Sequence, residues 1–96
     1  MPTTHTMRYY QDQENKVFRT IPGMDALMQN PALEAKFPEA AFALEMANSL
    51  STGDNEQNAI HQRAYLAILH GESIAAVRHR YKLDMERYVE RHMWDD

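Results

Sequence analysis

The run QRAYLAILHGESIAAVRHRYKLD, residues 62–84, decides how the second half of the chain is interpreted. Its first part, residues 64–69, is apolar on every side, which is typical of a helix buried against several neighbours. Gly71 follows shortly after this run, and a glycine just beyond the last helical residue is a typical C-terminal cap. Residues 73–81 then carry apolar side chains at helical spacing. We therefore predict a buried helix, a glycine cap and a second helix, followed by a short turn.

The residues after this run have the clearest amphipathic pattern in the chain. Asp84 is a natural N-cap, and the side chains that recur every three or four residues beyond it predict one buried face. That stripe consists of Met85, Tyr88, Val89, His92 and Met93. The pattern predicts a last helix that begins at Asp84 and packs this stripe against the preceding helices.

Proline and glycine divide the middle of the chain into short helical segments. Pro22 and Gly23 form a clear break, and Asn30 before a proline is a typical helix start. A stripe of Phe42, Met46 and Leu50 predicts a core-facing helix. The segments that we predict as helices are residues 24–29, 31–36, 38–50 and 55–70.

The N-terminal region is predicted differently. Residues 1–6 read as a flexible tail, and residues 7–21 hold two short runs of strand-favouring side chains around a polar connection. This pattern favours a β-hairpin lying on the helices, and the alternative is an extended arm that orders only on dimerisation.

Length and composition set the class of the protein. The chain has 96 residues, which is enough for one domain, and we place that domain at residues 7–96. The fold class predicted is mainly α, a small bundle of four to five helices. The longest uncharged apolar run is residues 64–69, too short for a membrane span, and the polar residues 1–6 do not resemble a signal peptide. The absence of cysteine excludes disulfides and fits a cytoplasmic location.

Charge is distributed unevenly along the chain. The net charge is −4, yet residues 61–92 contain six arginine or lysine residues against four acidic ones. The rest of the chain is therefore strongly acidic. Such asymmetry can mark a nucleic-acid-binding face beside an acidic body, and the alternative is that it reflects ordinary solvated faces.

Residues 59–94 resemble a trihelical helix-turn-helix domain of the transposase-like and sigma-region-4-like kinds. The resemblance covers about the last 40 residues. It implies that residues 80–84 make the turn and that the last helix lies in the DNA major groove. It implies a small regulator from a bacterium or mobile element, binding DNA as a homodimer. The residues implied to contact DNA are Arg78, Arg80, Lys82, Arg87 and Arg91.

The chain departs from that family at three positions. Arg78 replaces a small alanine between the helices, Lys82 replaces the turn glycine, and Tyr88 replaces a core valine. These departures and the acidic remainder favour an alternative function. The alternative is a small acidic protein-interaction module, such as a phage- or plasmid-encoded inhibitor or assembly adaptor, without nucleic-acid binding. The aromatic residues predicted to anchor a protein interface are Tyr9, Tyr10 and Trp94.

No residue pattern indicates catalysis or a cofactor. The histidines are not spaced as metal ligands on one helix, and no nucleophile motif or phosphate-binding loop is present. We therefore predict that the protein is not an enzyme and holds neither a metal nor another cofactor. Seven methionines are many for this length. Filling of the core is the simpler interpretation, and an adaptable binding surface is the alternative.

Overall fold

The computed structural model describes residues 7–50 and 53–93, and all regular structure in these ranges is helical. The elements are α1 (Met7–Phe18), α2 (Met24–Gln29), a 3₁₀ helix (Pro31–Ala35), α3 (Pro38–Asn48), α4 (Asn55–Leu69) and α5 (Ile74–Met93). The predicted mainly α class is confirmed. The predicted tail, residues 1–6, and the predicted interface residue Trp94 lie outside the described residues.

The segments between residues 24 and 48 form close to their predicted bounds. The Asn30 side chain accepts a hydrogen bond from the Ala32 N–H at 3.2 Å, so it caps the 3₁₀ helix as its sequence context predicts. In α3 the predicted stripe points into the core. Phe42 and Met46 are buried, and Leu50, just beyond the helix, packs against them.

α4 is held at both ends by local hydrogen bonds. At its start, Asp54 Oδ1 accepts from the Gln57 N–H at 2.8 Å. At its end, Gly71 adopts φ +84°, a left-handed conformation that costs a residue with a Cβ about 1 kcal/mol. The Glu72 N–H reaches back to the Ala67 carbonyl at 3.1 Å, which completes a Schellman-type ending. This reversal sends α5 back along α4.

The core lies where α3, α4 and α5 meet. Side chains from four elements are almost fully inaccessible to solvent: Met24, Met46, Ile68 and Val77. α1 packs against α4, and α2 packs against α3, so these two helices close opposite parts of the same core. The apolar run in α4 is buried on several sides, as predicted.

The predicted hairpin or arm at residues 7–21 is wrong, because Met7–Phe18 forms α1. Tyr10, Glu14 and Val17 recur at helical spacing and lie partly buried, while Phe18 is buried. Of the polar residues predicted to form the connection, Gln11, Asp12 and Asn15 are exposed on this helix. A helix satisfies its own backbone groups, whereas an isolated hairpin leaves two unpaired edges.

The predicted turn near Lys82 is also wrong, because α5 runs without interruption from Ile74 to Met93. Neither proline nor glycine occurs in this segment, and Asp84 lies in mid-helix instead of capping a new one. Ile74, Val77 and Tyr81 pack into the core from one face. One continuous helix therefore carries these core contacts without a turn. The helix-turn-helix unit expected over residues 59–94 is therefore not confirmed.

Candidate functional site

An apolar groove runs between α3 and α5 and has a volume of about 880 Å³. Phe42 contributes from α3, and α5 contributes the apolar or aromatic side chains of Ala75, Tyr81, Met85, Val89 and Met93. Val89 is 50% exposed and Met93 is 71% exposed. Charged side chains and one histidine flank the apolar strip: Glu39, Glu45, Arg78, His79, Lys82, Glu86 and Glu90.

The groove exists because α5, with 20 residues, extends beyond α3, with 11, so that α3 covers only part of its length. Phe42 meets Tyr81 edge to face, with the two ring centroids 5.4 Å apart. Beyond this contact Met85, Val89 and Met93 follow at intervals of four residues, on a face of α5 turned away from α4. The C-terminal half of α5 therefore presents apolar side chains along one edge of the groove.

A second row of contacts fixes the other face of this half-helix to the start of α4. The Tyr88 hydroxyl donates to Asp54 Oδ2 at 2.5 Å, and Glu56 pairs with both Arg91 and His92. The bond from Tyr88 lowers the pKa of Asp54, helped by the Gln57 N–H, and the same bond raises the pKa of Tyr88. These contacts restrict rotation of α5 about its own axis, so the apolar strip stays turned toward the groove.

A buried polar pair lies beneath the groove. His61 of α4 is 8% exposed, and its Nε2 lies 3.2 Å from the Tyr81 hydroxyl, with the two rings stacked. Burial raises the pKa of Tyr81, and the nearby Glu45 carboxylate raises it further. Tyr81 therefore remains a neutral hydrogen-bonding group at ordinary pH. Through its contacts with Phe42 and His61 it joins α3, α4 and α5.

The structure separates the residues that the resemblance placed against DNA. On a helix that turns about 100° per residue, Arg78 and Lys82 lie on one side of α5, and Arg80 and Arg87 lie on nearly the opposite side. The first two line the groove. Arg80 pairs with Glu72 at 2.5 Å, and Arg91 pairs with Glu56. The five predicted residues therefore do not form one surface.

A smaller depression of about 320 Å³ lies on the far side of α5, next to α4. Arg63, Arg80 and Arg87 line it, together with Asp84 and apolar side chains of both helices. Arg63 was not predicted as a binding residue, because in sequence it lies before the apolar run of α4, 17 positions from Arg80. Only the antiparallel packing of α4 and α5 brings it to Arg80 and Arg87.

The predicted interface residues of α1 lie elsewhere. Tyr9 and Tyr10 contact each other edge to face with ring centroids 5.5 Å apart, and Tyr9 is 42% exposed. Neither side chain lines the groove. The sequence did reveal Met85, Val89 and Met93 as part of an apolar stripe; core filling was the simpler interpretation of its methionines, and an adaptable binding surface was the alternative. The methionines divide, since Met24 is buried in the core whereas Met93 is exposed.

Two further findings concern the described ranges. No group of three His, Cys, Asp or Glu side chains in them is arranged to hold a metal ion. None of the helices there is long and apolar enough to span a bilayer. In comparisons with known proteins, no family model, no curated protein and no solved structure matches this chain.

Proposed function

We propose that this chain is a small protein-interaction module that binds an amphipathic helix of a partner protein in the groove between α3 and α5. The observation that carries the proposal is the apolar strip of Met85, Val89 and Met93 at the edge of that groove. Contiguous exposed apolar surface on a small protein is a feature of interaction sites.

The energetic case rests on how much of this strip is still open to water. Val89 and Met93 are at least half exposed. Covering each of them on binding contributes on the order of 1 kcal/mol, since full burial of such a side chain contributes about 1.5–3 kcal/mol. Met85 is partly exposed and adds to this. A single helix laid in the groove covers these three side chains together.

The shape of the groove favours a helix as the ligand. Its two walls are helices, and a third helix packs in such a groove through apolar residues spaced three and four apart. The flanking residues are charged with both signs, so the ligand helix needs charged residues beside its apolar stripe. These features favour a helical partner of matching amphipathic pattern over an extended peptide.

Binding of DNA through α5 is a second candidate, and one observation favours it. Arg63, Arg80 and Arg87 line the same depression beside α4, and guanidinium groups suit both phosphate and guanine. Asp84 in the depression and Glu72 on Arg80 oppose the approach of a phosphate. We therefore rank DNA binding below the interaction of the groove with a protein.

Photo-crosslinking tests the first candidate against the second. A benzophenone side chain replaces Val89 in cells that express the protein, and a control replaces Gln62, an exposed position of α4. We expect crosslinks to a protein from position 89 and none above background from position 62. In parallel, fluorescence anisotropy measures binding to mixed-sequence duplex DNA at two salt concentrations. The absence of protein crosslinks from position 89, together with salt-dependent DNA binding, would overturn the proposal.

A further inference from the structure

We propose that the helix that fills the groove is α5 of a second copy of this chain, packed antiparallel about a two-fold axis. This inference rests on the proposed function, because it names the partner of the same surface. Its basis is that the groove face of α5 is complementary to itself when one copy is turned end for end.

Charge on the groove face of α5 changes sign along the helix. Arg78 and Lys82 lie in its first half, and Glu86 and Glu90 lie in its second half, all of them lining the groove. A parallel pair of α5 helices would place like charges side by side. An antiparallel pair places the basic half of each helix beside the acidic half of the other. The distribution of charge therefore favours the antiparallel pair.

One register of the antiparallel pair places each basic residue level with an acidic residue of the partner helix. With the two-fold axis crossing α5 at the level of residue 84, Lys82 lies level with the partner's Glu86, and Arg78 lies level with the partner's Glu90. The same register brings the partner's Met93 to Ala75, the smallest side chain of the α5 wall. A large exposed side chain therefore meets a small one at each end of the pair.

The α3 wall of the groove weakens the outer pair, Arg78 with the partner's Glu90. Glu39 and Glu45 line the groove near Arg78, and they repel the partner's Glu90. The central pair, Lys82 with the partner's Glu86, is therefore expected to contribute most to the choice of register. By symmetry this pair occurs twice in the dimer.

The expected association is weak. α5 is about 30 Å long, and a strip about 10 Å wide along it covers roughly 300 Å² on each subunit. A standard stable interface covers about 800 Å² on each partner. We therefore expect a weak dimer, which forms and separates as the protein concentration changes.

The test is an exchange of charge at the central pair, measured by analytical ultracentrifugation over concentrations from micromolar to millimolar. Lys82→Glu alone places two carboxylates together at each of the two central pairs, and Glu86→Lys alone places two ammonium groups together there. We expect each variant to dimerise about tenfold more weakly than the unaltered chain. An equimolar mixture of the two variants restores complementary pairs, and we expect it to associate within about threefold of the unaltered chain.

Arg87→Glu is the matched control, because it changes the net charge by the same amount on the opposite side of α5. We expect it to leave dimerisation unchanged. Met93→Asp is an independent second variant, expected to weaken dimerisation because Met93 lies in the contact and is 71% exposed in the single chain. Circular dichroism verifies that every variant retains its helix content.

Each outcome decides the inference. A mixture that associates no better than its separate components refutes the antiparallel register. An unaltered chain that stays monomeric up to millimolar concentration refutes self-association. In that second case, crosslinks from position 89 to a different protein would still support the proposed function, so the two failures are distinguishable.

Discussion

Replacement of Lys82 by glycine distinguishes a continuous α5 from a helix-turn-helix arrangement. Lys82 is exposed in the middle of α5, so a change there acts mainly on the backbone. In a helix interior, glycine in place of an ordinary residue lowers the free energy of unfolding by about 0.5–1 kcal/mol. In a turn that needs a left-handed residue at this position, the same change would raise it by about 1 kcal/mol. The two arrangements therefore predict opposite signs.

The measurement is urea unfolding followed by circular dichroism at low protein concentration, where the proposed dimer is dissociated. We expect the Lys82→Gly variant to unfold at lower urea concentration with an unchanged dependence on urea, and to melt roughly 2–8 °C lower. Lys82→Ala is the control for loss of the side chain and is expected to change stability by no more than a few tenths of a kcal/mol. A Lys82→Gly variant more stable than the unaltered chain would refute the continuous helix.

Three other predictions test the core and the ionisable groups. Burial raises the pKa of Tyr65 to about 12, with the neighbouring Glu14 carboxylate as the second cause, so Tyr65→Phe should remove the component with that midpoint from an ultraviolet pH titration. Because the folded state favours the neutral phenol, the matching contribution to the free energy of unfolding is complete below pH 10 and is lost as pH rises through 12. The hydrogen bonds that lower the pKa of Asp54 stabilise the folded state above that group's ordinary pKa of 3.8, and this contribution is lost as pH falls below it. Asp54→Asn should therefore flatten the acid side of a stability–pH profile. Met46 is fully buried, so Met46→Ala should lower the unfolding free energy by about 2–5 kcal/mol in urea titrations, and a loss under about 1 kcal/mol would contradict its place in the core.

The groove connects these tests to function because it depends on how α5 is held. Tyr88 and His92 bind the start of α4 through Asp54 and Glu56, and this fixes which face of α5 is left open. Exchange of Asp54 for asparagine removes a charged acceptor from that contact. The same substitution is therefore expected to change both the free energy of unfolding and the position of the apolar strip of Met85, Val89 and Met93.

The helices of the middle of the chain could be predicted because their signals are local. Asn30 before a proline, Gly71 after an apolar run and the spacing of Phe42 and Met46 each act within a few residues. The first gives an N-cap, the second a left-handed ending, and the third an apolar face. None of these signals depends on what the helix packs against.

The N-terminal helix could not be predicted in the same way, because its residues suit two structures. Tyr9, Tyr10, Val17 and Phe18 favour strands by type, yet Tyr10, Glu14 and Val17 are also spaced as one face of a helix. Contact with α4, where Glu14 lies beside Tyr65, favours the helix over the strand pair. Tertiary packing therefore decided between two local preferences of similar strength.

Local sequence signals were sufficient to predict the mainly α class, the bounds of α3 and α4, and an apolar stripe near the C-terminus. The continuity of α5 through Lys82, and the division of its stripe between two surfaces, depend on how the helices pack. Tyr88 and His92 turn toward α4, while Met85, Val89 and Met93 face an open groove. The physical reason is that spacing along a helix fixes which side chains share a face, whereas the number and length of neighbouring helices fix which faces are covered.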